Sequence, residues 1–276
     1  MKRSTKIILG VVSVLAAAVC IVCCLLIYQY FKGSALNEKV EELTSLPDET
    51  VQVVPVLPTG FPEQQLPDVP GQKEEKKAPD WFIQVNFDAL AGINEDIYAW
   101  IDIPGTPVSY AVVQNNSDLF YNNHAVDKSY YTGGSIFSQK YNSKDFTDPV
   151  TVLYGHNRES KTMFAPVNDY ASREFFDAHP TIYIYTPDAV FEYQIFAAYP
   201  HSSEHLLLNY DFTDPDTFAA YFEALGETID ANYRPELFPE EGDRVITLST
   251  CYKSNRMQRY LVQGVLTMEY AVVREK

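Results

Sequence analysis

The sequence predicts a mainly β domain with a few inserted helices, a mostly antiparallel barrel or sandwich, carried behind a single N-terminal transmembrane helix. Three observations predict it. From about residue 80 onward, seven or so runs rich in β-branched and aromatic residues are bounded by turn residues. These runs do not alternate regularly with helical patterns, which argues against a parallel α/β sheet. Near the N-terminus, Ile7 to Ile27 is 21 residues without a charge, enough to cross a hydrocarbon core of about 30 Å as a helix.

The elements follow in order. Residues 1–6 form a basic N-terminal end whose Lys2, Arg3 and Lys6 resist translocation and stay in the cytoplasm. Residues 7–27 are the membrane anchor. Tyr28, Tyr30 and Phe31 follow as an interfacial aromatic belt, where a cleaved signal peptide would end in a small-x-small site. Cys20, Cys23 and Cys24 lie inside the span and read as ordinary small apolar residues. Residues 28–79 read as an extracellular spacer with a short helix over Leu36 to Leu46. Pro47, Pro55, Pro58, Pro62, Pro67, Pro70 and Pro79 recur in it, and Phe61 is the one aromatic residue in Lys32 to Pro79. Such a stretch buries too little apolar surface to offset its ordering entropy.

Residues 80–276 form the folded domain, about the size of one compact unit. Phe87, Leu90 and Ile93 at helical spacing predict a helix that passes into a strand at Trp100 to Ile103. Strands are predicted at Val108–Val113, Gly134–Phe137, Val150–Tyr154, Thr181–Tyr185, Val190–Tyr199, Arg244–Thr250 and Tyr260–Val273. Two helices interrupt them. Ser172 caps a short one through Phe175 and Phe176. Asp214 followed by Pro215 opens a longer one, with Phe218, Phe222, Leu225 and Ile229 on one face.

The formal net charge is −16, and removing the three N-terminal positive charges leaves −19 for the remainder. Nucleic acid is therefore an unsuitable partner, since phosphate binding needs a basic surface. Nothing in the sequence calls for a metal or an organic cofactor. Cys251 is the single cysteine outside the span, so it has no disulfide partner in its own domain and is either a buried filler or a retained nucleophile. It ends the strand Thr247-Leu248-Ser249-Thr250-Cys251, and His156 ends another at Tyr154-Gly155-His156-Asn157. In a barrel, two strand ends open into one cleft. An imidazole beside a thiol favours the attacking thiolate and returns a proton to a leaving amine. Arg256 and Arg259 follow within one hairpin, where a guanidinium reaches the oxyanion of acyl transfer. Alternation along the strand favours Arg259, and Arg256 reads as a solvated charge.

Several further segments join these: Ile97-Tyr98-Ala99-Trp100-Ile101-Asp102-Ile103-Pro104-Gly105-Thr106, Val113-Gln114, Phe120-Tyr121, Gly134-Ser135-Ile136-Phe137, Leu153 to Asn157, Met163-Phe164 and Tyr193 to Tyr199. As an ordered set from about Asn86 to Leu266 they resemble the sortases, and class B most closely. The helix from Asp214 is similar to the class B insertion. The resemblance implies a closed, antiparallel or mixed β-barrel. It also implies a Gram-positive, membrane-anchored cysteine transpeptidase that cuts a cell-wall sorting signal, holds the product as a thioester on Cys251 and passes it to an amine of peptidoglycan or its lipid-linked precursor. His156 is then general acid and base, and Arg259 the oxyanion and substrate partner. The chain departs from class B at Ser138-Gln139 and Tyr252, where acidic residues are common in the family; this bears on substrate positioning and leaves the reaction class intact.

Tyr154, Ser249, Thr250, Asn115 and Tyr121 are candidate substrate-binding residues, with Asn116 a weaker one. His124, His179, His201 and His205 read as structural or solvated histidines. Three other functions compete: an L,D-transpeptidase, which lacks its Ser-His-Gly-Cys pattern here; a pilus-type sortase that joins subunits through a lysine amine; and a non-catalytic surface binding module.

Overall fold

The structure, a computed structural model of the 276-residue chain, describes residues 3–45, 51–56, 79, 81–226, 228, 230–253 and 255–274. The side chains of residues 3–10, 26, 29, 30, 34, 255, 256 and 274 lie outside the description. Among the described residues there are twelve strands and five α-helices. Helix α1 runs over Arg3–Glu41, followed by β1 (Thr44–Ser45), β2 (Val51–Val56), β3 (Gln84–Val85) and α2 (Phe87–Ile93). The central strands are β4 (Ile97–Asp102), β5 (Ser109–Val113), β6 (Ile136–Ser138) and β7 (Val150–Tyr154). Then come α3 (Arg173–Ala178), β8 (Thr181–Tyr185), β9 (Ala189–Ser202), α4 (Leu206–Asn209), α5 (Pro215–Leu225), β10 (Asn232–Tyr233), β11 (Val245–Tyr252) and β12 (Asn255–Arg274).

Of the two architectures the strand pattern left open, the chain adopts the closed barrel. Neighbouring strands run β9-β8-β4-β5-β6-β7-β11-β12, and a further pairing of β12 with β9 closes the ring. Pairings β5–β6 and β7–β11 are parallel and the other ring pairings antiparallel. Alternation places Ile246 and Leu248 of β11 in the barrel interior with Ile101, Leu153, Ile184, Ile195 and Val262, while Val245 faces outward. The outer layer there is α5, whose Phe218, Tyr221, Phe222 and Leu225 pack on Val152, Phe196, Tyr199 and Leu261.

The predicted helix signals are met locally. Asn86 Oδ1 caps α2 by accepting from Ala89 N at 3.0 Å, and Ser172 Oγ caps α3 from Phe175 N at 3.4 Å. Asp214 Oδ2 caps α5 from Thr217 N at 3.1 Å, with Pro215 in the first turn where its missing N–H costs nothing. Ile229 lies outside the described residues.

The N-terminal third departs from a plain spacer. Val40 is buried against the barrel, and Gly33 packs so closely on the Tyr131 ring that any side chain there would overlap it. Strand β2 pairs antiparallel with the end of β12, Val53 opposite Val272 and Pro55 opposite Tyr270. Its valines alternate inward, with Val51 and Val53 buried. Pro55 is tolerated because β2 is an edge strand, which needs no N–H on its outer side. Prolines thus masked a strand that the Val51-Gln52-Val53-Val54 pattern contained. Residues 57–78 of the predicted spacer lie outside the described residues. Val11, Val14, Leu15, Val19, Val22 and Leu25 of α1 are exposed. Among the described residues no helix is long and apolar enough to cross a membrane, and the predicted span 7–27 includes side chains at 7–10 and 26 that lie outside the description.

Candidate active site

Parallel pairing builds the site. β7 and β11 run side by side with Tyr154 opposite Ser249, and Gly155 N continues the ladder to Ser249 O at 3.2 Å. His156 and Cys251 each lie two residues beyond that register pair, so both emerge at the same barrel end. Antiparallel β12 then places Arg259 opposite Cys251, and β9 places His201 opposite Arg259. The result is a row across four adjacent strands: His156, Cys251, Arg259, His201. Only glycine fits at 155, since a Cβ would lie 2.5 Å from Ile136 Cδ1 and 2.7 Å from the Phe164 ring.

These residues line a cleft of about 210 Å³ together with Tyr154, Ser249, Thr250, Gln139 and His205. Arg259 Nη1 donates to Cys251 Sγ at 3.7 Å, an orientation that presents a positive fork to a thiolate and to an oxyanion formed on the atom it attacks. Cys251 is partly exposed, as a nucleophile must be. His156 Nε2 lies 2.7 Å from the carbonyl oxygen of Asn122, so Nε2 carries the proton and donates it, leaving Nδ1 as the basic nitrogen. The side chain of Arg256 lies outside the described residues. Among the described residues no group of three or more His, Cys, Asp or Glu side chains converges on a point where a metal would sit.

The predicted substrate residues divide. Tyr154, Ser249 and Thr250 line the cleft. Tyr154 stacks on Phe137 at 5.5 Å between ring centres, and Thr250 Oγ1 is buried without a hydrogen-bond partner in the structure. Asn115 and Tyr121 do not line it. Tyr121 is buried, donating to Asp96 Oδ2 at 2.5 Å and accepting from Asn94 Nδ2 at 2.7 Å, while Asn115 Oδ1 caps Ser117 N at 2.8 Å. The reason is local: Tyr121 sits on the short 3-10 turn Phe120–Asn122, which turns its ring inward and its neighbour's carbonyl toward His156. Tyr121 therefore acts at one remove, by anchoring the turn that holds the histidine. Tyr121→Phe is expected to cost about 1–3 kcal/mol, because it removes a hydrogen bond to the charged Asp96 carboxylate and another from the buried Asn94 amide; urea unfolding measures it, and an unchanged midpoint would contradict the anchoring role.

The histidines also divide. His124 stacks on Phe120 and bonds its carbonyl, and His179 bonds the carbonyl of Pro104, both structural as expected. His205 differs from the solvated residue the sequence suggested. It is half-buried in the cleft wall, with Nε2 donating to Gln139 Oε1 at 2.5 Å and the ring 6.3 Å from that of Tyr154. Its partner lies 66 positions away, which no local pattern reveals. Burial disfavours the imidazolium and holds His205 below the ordinary histidine value of 6.5. With the folded value lowered, the unfolded chain takes up a proton first, so this contribution is intact above pH 6.5 and is lost as pH falls through the lower folded value. His205→Gln is expected to flatten the fall in melting temperature as pH drops below 6.5 relative to wild type; parallel profiles for the two proteins would refute it.

A closed mixed barrel with a thiol, an imidazole and a guanidinium in one row at its rim defines a cysteine acyl-transfer enzyme. The Sortase domain family model matches residues 101–267. Sortase B of Listeria monocytogenes is 30% identical over 179 residues, covering 64% of this chain and 72% of the relative. Among solved structures, a Staphylococcus aureus sortase B–substrate complex superimposes with a TM-score of 0.58 at 25% identity, covering 69% of this chain and 85% of that one. A Streptococcus pyogenes class B sortase involved in pilus biogenesis gives 0.59 at 27% identity, covering 66% and 98%. The chain belongs to the sortase family, and within it to class B; it is a sortase-type transpeptidase. The L,D-transpeptidase and binding-module readings fall with that membership.

Proposed function

We propose that this transpeptidase is anchored by residues 7–27 with its N-terminus in the cytoplasm and its catalytic domain outside the cell, and that it attaches secreted proteins to the cell wall. Support for the anchor is the uncharged run Ile7 to Ile27 behind Lys2, Arg3 and Lys6. The observation that carries the chemistry is the row His156, Cys251, Arg259 in one cleft, with the guanidinium 3.7 Å from the thiol sulfur. The Cys251 thiolate attacks the carbonyl carbon at the scissile bond of a C-terminal sorting signal. Arg259 stabilises the oxyanion. The intermediate collapses by breaking the C–N bond, and His156 gives the leaving amine its proton. The C–S thioester then meets an amine of peptidoglycan or its lipid-linked precursor; His156 takes the proton from the attacking nitrogen and the thiolate leaves as the new amide forms. Tethering raises the effective concentration of two substrates presented at the same membrane face.

Full-length protein incubated with a library of sorting-signal peptides and a peptidoglycan stem-peptide amine is expected to give amide-linked product, and only the hydrolysed peptide when the amine is withheld. Cleavage without transfer to the stem-peptide amine at any concentration would overturn the wall-anchoring reading. The likeness to the pilus-biogenesis sortase of Streptococcus pyogenes keeps one second reading, in which the acceptor is a lysine amine on a protein subunit. A parallel reaction with such a subunit as acceptor distinguishes the two.

A further inference from the structure

We propose that Asn157 and Asn168 are positioning residues that lock the backbone of the nucleophile to the loop carrying the base. Carbonyls two residues apart on a strand point the same way. Ser249 O faces β7 and accepts from Gly155 N, so Cys251 O faces the same side, just where β7 has ended and no ladder partner remains. A backbone acceptor there must be met by other means. Two side-chain amides meet it: Asn157 Nδ2 donates to Cys251 O at 3.0 Å and Asn168 Nδ2 at 3.2 Å.

The same two residues fix the turn that follows. Asn157 Nδ2 also donates to Lys253 O at 2.9 Å, and Asn168 Oδ1 accepts from Lys253 N at 2.9 Å. Lys253 is held with φ at +49°, a left-handed conformation unfavourable for lysine that this clamp stabilises. The β11–β12 register shifts between Cys251 and Tyr252, so the nucleophile sits where the ladder is weakest. Asn168 donates to one backbone group and accepts from another, which leaves only one orientation of its amide.

Asn157 is bonded through its own peptide to His156. The carbonyl of that same peptide, His156 O, accepts from Phe164 N at 3.1 Å, and the ring is held on Asn122 O. The separation of imidazole and thiol is therefore set by one covalent link and the Asn157 amide, reinforced by Asn168 from the 3-10 segment Ala165–Ala171. Neither asparagine is a catalytic residue; each acts through the Cys251 carbonyl.

This inference rests on Cys251 and His156 as nucleophile and base, and its test keeps the two apart. The full-length protein is compared with Asn157→Ala, Asn168→Ala, the double variant, Asn157→Gln and Cys251→Ala. Three quantities are read: kcat and KM for a sorting-signal peptide, the pH dependence of Cys251 alkylation by iodoacetamide, and the melting temperature. Small misplacements of reacting groups cost up to about 100-fold, so kcat is expected to fall about 10- to 100-fold in each alanine variant. KM should change by less than about twofold, the pattern of a lost transition-state alignment. The pH profile of Cys251 alkylation should no longer superimpose on that of the wild type once the backbone carrying the thiol is released, and Asn157→Gln should recover part of both losses. Wild-type kcat with a superimposable alkylation profile in the double variant would overturn the clamp while leaving the nucleophile intact. A kcat loss matched by the unfolded fraction alone would also overturn it. A wild type that neither turns over nor alkylates at Cys251 would remove the nucleophile and the clamp together.

Discussion

Cys251→Ala is expected to abolish transpeptidation and hydrolysis of sorting-signal peptides while leaving the protein folded. The thiol is the one group in the row that can form the acyl bond, and neither Ser249 nor Thr250 beside it has a base: Thr250 Oγ1 is buried, and Ser249 is 5% exposed. Removing a nucleophile that acts as a unit with its base costs on the order of 10⁴-fold or more. The structural penalty is small, since Cys251 lies at the end of β11, partly exposed and outside the packed interior. Turnover measured beside a thermal melt separates the two effects. Residual turnover within tenfold of wild type would place the nucleophile elsewhere.

Arg259→Lys carries the second large effect, about 10²- to 10³-fold on the acylation rate, the range for loss of an oxyanion donor. The register sets Arg259 opposite Cys251 and brings Nη1 to 3.7 Å from Sγ. Lysine keeps the charge and the length but replaces a planar fork of fixed N–H groups with a point charge, which does not hold a carbonyl oxygen and a thiolate at once. Single-turnover acylation is the measurement. Arg259→Lys with a wild-type rate would reduce the arginine to a source of charge, and a raised KM with an unchanged kcat would make it a ground-state binding residue.

Much of this was legible in the sequence where the signal is local. Alternation and turn residues located the barrel strands, and Ser172, Asp214 and Pro215 marked helix starts that their side-chain caps account for. Cys251 and His156 stood out as strand-end groups, and Arg259 as the arginine in phase with the strand. What stayed hidden depends on contacts between distant segments. The parallel register of Tyr154 with Ser249, which brings His156 and Cys251 to one cleft, is a tertiary fact. So are the Gln139–His205 bond across the cleft and the amide clamp from Asn157 and Asn168 onto Cys251 O. Loop residues mislead for a related reason. Outside regular structure no period fixes where a side chain points, and Tyr121 and Asn115, predicted at the cleft, serve the Asp96 network and a turn instead. In β2 the proline content concealed a strand, because an edge position removes the usual objection to Pro55.

Whether Cys251 carries the acyl group is read from intact-mass and peptide-mapping measurement of the full-length protein mixed with sorting-signal peptides. The expected result is an adduct equal in mass to the N-terminal part of the peptide, mapped to Cys251, cleaved by hydroxylamine, discharged to amide when an amine is added and absent from Cys251→Ala. Peptide cleavage that proceeds with no adduct at Cys251 under rapid quench, or an adduct that persists in Cys251→Ala, would contradict it.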